Sequence, residues 1–126
     1  MALGRAIEVN EAFRVLKDPV RRAEALLVLR GVQSGEGKEP PASPALLMEV
    51  MERREALAEI RQSKNEAALA RLIAEVRGEE GRVVQALTKE FATPSGNSAE
   101  ILKRIGELRY YRRFLDEAAS IADDLL

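Results

Sequence analysis

The chain alternates long amphipathic stretches with short polar breaks, and the spacing inside each stretch is helical. Over residues 2–17, Ala6, Val9, Phe13 and Leu16 recur every third or fourth position, and Leu3, Ile7 and Val15 widen the stripe. Asp18-Pro19 breaks and restarts the chain. An aspartate accepts hydrogen bonds from the free N–H groups of the next turn, and proline suits the first helical position because an N–H there would lack a partner. A second helix is predicted up to Arg30, anchored by Leu26, Leu27 and Leu29, with Gly31 placed to end it. Residues 31–44 then change character. Gly31, Gly35, Gly37, Pro40, Pro41 and Pro44 do not support regular structure, so we read a linker, part flexible and part extended.

Ser43 as cap and Pro44 in the first turn open the next helix, and this stretch has two apolar faces. Leu46, Val50, Leu57 and Ile60 fall on one side, as a core stripe does. Leu47, Met48 and Met51 fall beside and behind it, next to Glu52, Glu55 and Glu59. A helix that only had to fold would carry charge throughout that second face. Methionine and leucine in an acidic frame suit a surface that grips another protein; core spill-over is the competing reading.

After residue 62, Ser63 with Glu66 fits a capping box, and Asn65 is a rival cap. A long helix toward Phe91 follows, with Leu69, Leu72, Ile73, Val76, Val83, Leu87 and Phe91 on its core face. Gly78 and Gly81 sit inside it, and each costs roughly 1 kcal/mol against alanine there. A kink, a break or a close helix contact would each account for them. Thr93-Pro94-Ser95-Gly96 makes the next loop, and Asn97 with Glu100 begins the last helix. Ile101, Ile105, Leu108, Leu115, Ala119 and Ala122 are predicted to line its inner face, with Tyr110 and Phe114 on a different side. No segment sustains the period of two that a half-buried strand needs. The fold class is therefore all-α: a helical hairpin over residues 1–31, a linker over 32–43, and an antiparallel three-helix bundle over 44–126.

Composition narrows the function. Apolar residues make up 46% and charged residues 33% of 126 residues, which describes a globular chain. The net charge of −1 offers no basic field for nucleic acid. Cysteine and histidine are both absent from the sequence, which removes disulfides, thiol nucleophiles, histidine bases and the usual zinc sites. We expect no metal, no cofactor and no catalytic residue. No apolar run approaches membrane-spanning length and no signal peptide is recognisable, so we expect a cytoplasmic protein without a membrane partner.

Two stretches meet a known pattern. Asn10-Glu11-Ala12-Phe13-Arg14-Val15-Leu16-Lys17-Asp18-Pro19-Val20-Arg21-Arg22-Ala23-Glu24 resembles the third and fourth helices of a J-domain. Arg22-Ala23-Glu24-Ala25-Leu26-Leu27, together with Leu46-Leu47-Met48-Glu49 through Arg54-Glu55, resembles the HscB family of iron–sulfur cluster co-chaperones. The resemblance covers nearly the whole chain. It implies a C-terminal bundle that holds the scaffold protein on which clusters are built, and a J-domain that delivers it to a specialised DnaK-type (HscA-like) ATPase. The family's scaffold contacts map onto Leu47, Met48, Met51, Glu52, Glu55 and Glu59, and onto Tyr110, an aromatic position of the last helix. The large departure is the His-Pro-Asp loop that precedes the third helix of a J-domain, because no histidine is present. A fragment, a late-assigned start or a degenerate member would account for it; we expect one of the first two, able to hold a scaffold but not to stimulate an ATPase.

Other readings make different predictions. A helical chorismate mutase is also small, all-α and histidine-free, and Glu52-Arg53-Arg54-Glu55 loosely resembles one of its helices. It gives no reason for the Asp-Pro hairpin. A helical adaptor predicts the same exposed methionine face with another client. Arg21 and Arg22 read first as a solvated face, and the three glutamates would also serve as solubilising charge. Finally, Ala6, Val9, Phe13 and Leu16 lack part of the cover a complete J-domain would give them. That stripe is expected to pack on the bundle or on a second copy of the chain, or to stay mobile.

Overall fold

The computed structural model describes residues 18–32, 40–93 and 97–126. Four helices follow in order: α1 (Pro19–Leu29), α2 (Pro44–Ser63), α3 (Glu66–Ala92) and α4 (Ser98–Leu125). No strand occurs among the described residues, and the chain is all-α as its periodicity predicts. The predicted helix over residues 2–17, its apolar stripe and the centre of the linker lie outside the described residues.

Local chemistry sets the helix ends. The Asp18 side chain accepts from the N–H groups of Val20 and Arg21 at the start of α1. Gly31, at φ +77°, ends it. Its N–H donates to the Val28 carbonyl and that of Val32 to the Leu27 carbonyl, the paired closure that a left-handed glycine permits. Ser43 caps α2 through Leu46 N–H, with Pro44 in the first turn. The capping box expected of Ser63 does not form. Ser63 is still helical, Lys64 takes the left-handed turn at φ 55°, and Asn65 caps α3 through Ala68 N–H. Asn97 caps α4, but its own N–H is taken by Glu90 of α3 at 2.7 Å and not by Glu100.

α3 and α4 form the long antiparallel hairpin on which the other helices pack. α2 packs against both, and α1 packs on α4. Leu27, Leu57, Val76, Ile101, Ile105, Leu108 and Ile121 are the most deeply buried large side chains and belong to one continuous core. Besides apolar contact, α1 is held by ion pairs to α4, Asp18 to Arg112 and Glu24 to Arg109. At its far end the Arg30 guanidinium donates to the Phe91 carbonyl and lies over the Phe91 ring.

Three predicted core faces need correction. In α1 only Leu27 of the three leucine anchors is buried; Val20 and Ala23 join it, while Leu29 is 82% exposed and Leu26 borderline. Val20, Ala23 and Leu27 keep a spacing of three and four that lays one stripe on α4, and Leu29 falls off it. In α2, Val50 is only partly buried, and Arg53 completes the stripe. In α4 the prediction holds for Ile101, Ile105 and Leu108 and then drifts. Tyr111, Phe114, Ala118 and Ile121 are buried, whereas Ala119 is exposed and Leu115 and Ala122 are partly covered. Buried steps shorter than the helical repeat turn the inner face by about 160° along α4. α4 packs against all three other helices, so no single face of it serves as the inner one. Gly78 and Gly81 break nothing: α3 runs through both, and neither is a close contact point.

Candidate protein-docking face

α2 exists in this position because its inner stripe is held. Leu46 (8% exposed), Leu57 (2%) and Ile60 (7%) point into the bundle. Arg53 lies on the same line and is 9% exposed. Its Nη2 pairs with Glu49 at 2.9 Å within α2 and with Glu75 of α3 at 3.7 Å, while Nη1 is buried without a hydrogen bond. Nearby, Tyr111 is pushed above the usual tyrosine range, first by burial and then by the charges of Glu49, Glu107 and Glu79. It therefore stays a neutral, packed phenol.

The opposite face of α2 is open. Leu47 is 45% exposed, and Met48 and Met51 are each 63% exposed. Glu52, Glu55 and Glu59 are exposed and form no ion pair among the described residues. Met48, Glu52, Glu55 and Glu59 follow one line about 16 Å long, at 1.5 Å per residue, with Leu47 and Met51 beside it. The methionines are not core spill-over: the inner stripe is complete without them.

Tyr110 occupies a different setting from the other six. It is half-buried against the core, with the Arg113 guanidinium 5.3 Å from its ring centre. With Leu46 it lines a cleft of about 260 Å³, together with Pro40, Pro41, Ala42 and Ser43 before α2 and Lys103, Gly106 and Glu107 of α4. Tyr110 thus sits beside the first turn of α2, in the same cleft as Leu46, the sequence neighbour of Leu47. Glu59 lies at the other end of α2, in an open groove of about 500 Å³ shared with Ala56, Arg71 and Leu72. Leu47, Met48, Met51, Glu52 and Glu55 line neither cleft; they make a convex surface.

Sequence reasoning missed Arg53, Tyr111, and the arginines that hold α1. Arg53 was detectable, since it continues the spacing of Leu46, Val50, Leu57 and Ile60; only its charge hid it. Arg109 and Arg112 carried no such signal, because their partners Glu24 and Asp18 lie far away in the sequence. Among the described residues no group of histidine, cysteine, aspartate or glutamate side chains could hold a metal ion, and no helix is long and apolar enough to cross a membrane.

The arrangement offers a surface for protein contact, and the chain is similar to known proteins. Residues 42–119 match the family model described as the HSCB C-terminal oligomerisation domain. A co-chaperone protein HscB homolog of Shewanella baltica strain OS155 is 34% identical, over 100% of this chain and 74% of its own length. One of Burkholderia cenocepacia is 34% identical over 95% of this chain and 67% of its own. The structure of chaperone HscB from Vibrio cholerae superposes with a TM-score of 0.82 at 31% identity, covering 100% of this chain and 72% of that one.

Proposed function

This chain belongs to the HscB family of co-chaperones, and on that premise we propose that it serves iron–sulfur cluster biogenesis by holding the cluster scaffold protein on α2. Leu47, Met48 and Met51 are the apolar anchors, Glu52, Glu55 and Glu59 select a basic region of the scaffold, and Tyr110 borders the face. The held scaffold is presented to a DnaK-type, HscA-like ATPase in a bacterial cytoplasm. The chain itself performs no covalent chemistry. The chorismate mutase alternative has no counterpart among these relatives, which are named co-chaperones.

One observation carries the reading. Two methionines and a leucine stand exposed on a helix whose buried stripe is complete without them. Leaving them in water adds nothing to the fold, and covering each large side chain fully is worth about 1.5–3 kcal/mol. Carboxylates around them guide a basic partner in and reject acidic ones, more than they add net affinity. Titration of the purified cognate scaffold with the chain and with Met51→Ala, alongside circular dichroism, tests it. Loss of affinity with an intact helical spectrum is expected. Unchanged binding by Met51→Ala, or its unfolding, would overturn the assignment.

A further inference from the structure

The cleft beside Tyr110 has a charge opposite to that of the rest of the face. Four charged side chains line it. Glu107 is engaged by Arg104 at 3.3 Å, and Arg109 is engaged by Glu24. Lys103 and Arg113 are exposed with no ion pair among the described residues, and Arg113 stacks on Tyr110. The uncommitted charge at the cleft is therefore positive. The N-terminus of α2, capped by Ser43 at the cleft wall, adds the positive end of its helix dipole. The floor, Leu46 and Tyr110, is apolar and aromatic, suited to the methylene stem of an acidic side chain.

We propose that this cleft receives an acidic side chain of the scaffold, so that the client is read by two poles of opposite sign. The inference rests on the docking reading of α2 and extends it. From Leu46 at the cleft to Glu55 in the acidic frame is nine residues of helix, about 14 Å. The Debye length at moderate ionic strength is about 10 Å, so Glu55 and Glu59 are largely screened from the cleft, and Glu52, about 9 Å along the helix from Leu46, is the nearest of the frame. A client with a basic patch alone satisfies one pole and leaves Lys103 and Arg113 unpaired. A client carrying a carboxylate about that far from its basic patch satisfies both, in one orientation only. The apolar anchors between the poles supply the contact area, and the poles fix the direction in which the scaffold lies along α2.

Two measurements on the full chain with the purified cognate scaffold test this. Lys103→Glu, alone and with Arg113→Glu, should weaken binding about five- to tenfold at low salt and less at high salt, as a screened charge contact does. Both positions are exposed, so the helical spectrum should not change. Zero-length carbodiimide coupling, read by mass spectrometry, should join Lys103 to an aspartate or glutamate of the scaffold. Normal binding by Lys103→Glu while Met51→Ala binds poorly would overturn the cleft assignment and leave the α2 face standing. Coupling of Lys103 only to Glu36 or Glu39 of its own chain would also overturn it, by making the linker the occupant. Failure of the unaltered chain to bind any scaffold would overturn both readings together.

Discussion

Asp18 and Arg112 form a two-point ion pair, with Nη1 donating to Oδ2 at 2.8 Å and Nη2 to Oδ1 at 2.7 Å. The same carboxylate caps α1, so one side chain both starts the helix and docks it on α4. The Arg112 hydrogen bond, above all, holds the Asp18 carboxyl below the ordinary aspartate range; burial opposes it, and the capped N–H groups assist. Arg112 is 39% exposed, and solvent screening limits the pair to about 1 kcal/mol. Asp18→Asn keeps a good cap and should cost about that much; Asp18→Ala loses the cap as well and should cost about 2 kcal/mol. Because the folded pKa is depressed, the charge-dependent part is fully present above the unfolded value and is lost as pH falls through the folded one. Urea unfolding at a series of pH values should therefore show wild type and Asp18→Asn converging in acid. A gap that persists there would mean the pair contributes nothing.

Arg53 sets a test of a different kind. Its partners Glu49 and Glu75 are 35% and 62% exposed at the side chain, so either carboxylate regains water if the arginine is replaced. Its own Nη1 is buried and unsatisfied. Replacing a buried ion pair by an apolar side chain of similar volume is commonly neutral or stabilising. We expect Arg53→Met to unfold in urea at the same or a higher midpoint, and Arg53→Ala to lose about 2 kcal/mol by leaving a cavity. A large loss in Arg53→Met would show that the ion pairs outweigh their desolvation.

The two glycines of α3 give the simplest forecast. A Cβ at Gly81 would meet nothing within 4 Å, and one at Gly78 only the tip of Arg82 at 3.8 Å. Each glycine sits in a helix interior with an exposed surface. Gly81→Ala should stabilise by about 0.5–1 kcal/mol, with Gly78→Ala close behind. Destabilisation on thermal unfolding would point to a role for the bare backbone.

The sequence made some of these features legible and concealed others, for physical reasons. Asp18, Ser43, Gly31 and Asn97 were readable because a cap depends on residues within one turn. The separation of Leu47, Met48 and Met51 from Leu46, Leu57 and Ile60 was readable because a single helix repeat assigns them to different faces. The second half of α4 was not. Tyr111 and Phe114 are chosen over Leu115 and Ala119 by which helix lies alongside, and that is settled by tertiary packing. The docking of α1 was hidden for the same reason, since Glu24–Arg109 joins distant parts of the chain. Tyr110 needed the family resemblance to be assigned to the docking face, and the cationic cleft beside it needed the fold.

Co-chaperone activity toward the ATPase is expected to be absent from a polypeptide of this sequence. It contains no histidine and hence no His-Pro-Asp motif. In a single-turnover assay with the cognate DnaK-type ATPase, hydrolysis should stay at its basal rate, with scaffold present or not. Clear stimulation would contradict this, and measurable chorismate rearrangement would instead promote the enzyme reading.

Mutations on the open face of α2 should separate binding from folding, and their order follows from exposure and charge. Met51 and Met48 are 63% exposed and Leu47 is 45% exposed, so truncating them removes little from the core. Met51→Ala or Leu47→Ala should weaken scaffold binding by on the order of 2 kcal/mol, about thirtyfold, as truncated apolar anchors do. Glu55→Ala should cost less, and its effect should shrink as salt rises, because an exposed carboxylate acts at a distance that ions screen. Leu57→Ala, at 2% exposure, is the opposing control: it should unfold the bundle at a lower urea concentration, by about 2–5 kcal/mol. If Leu57→Ala and Met51→Ala instead lose stability alike, both faces of α2 belong to the core and the docking surface lies elsewhere. If Met51→Ala keeps both its fold and its affinity, the exposed methionines are surface chance, and the scaffold must be held by another part of the chain.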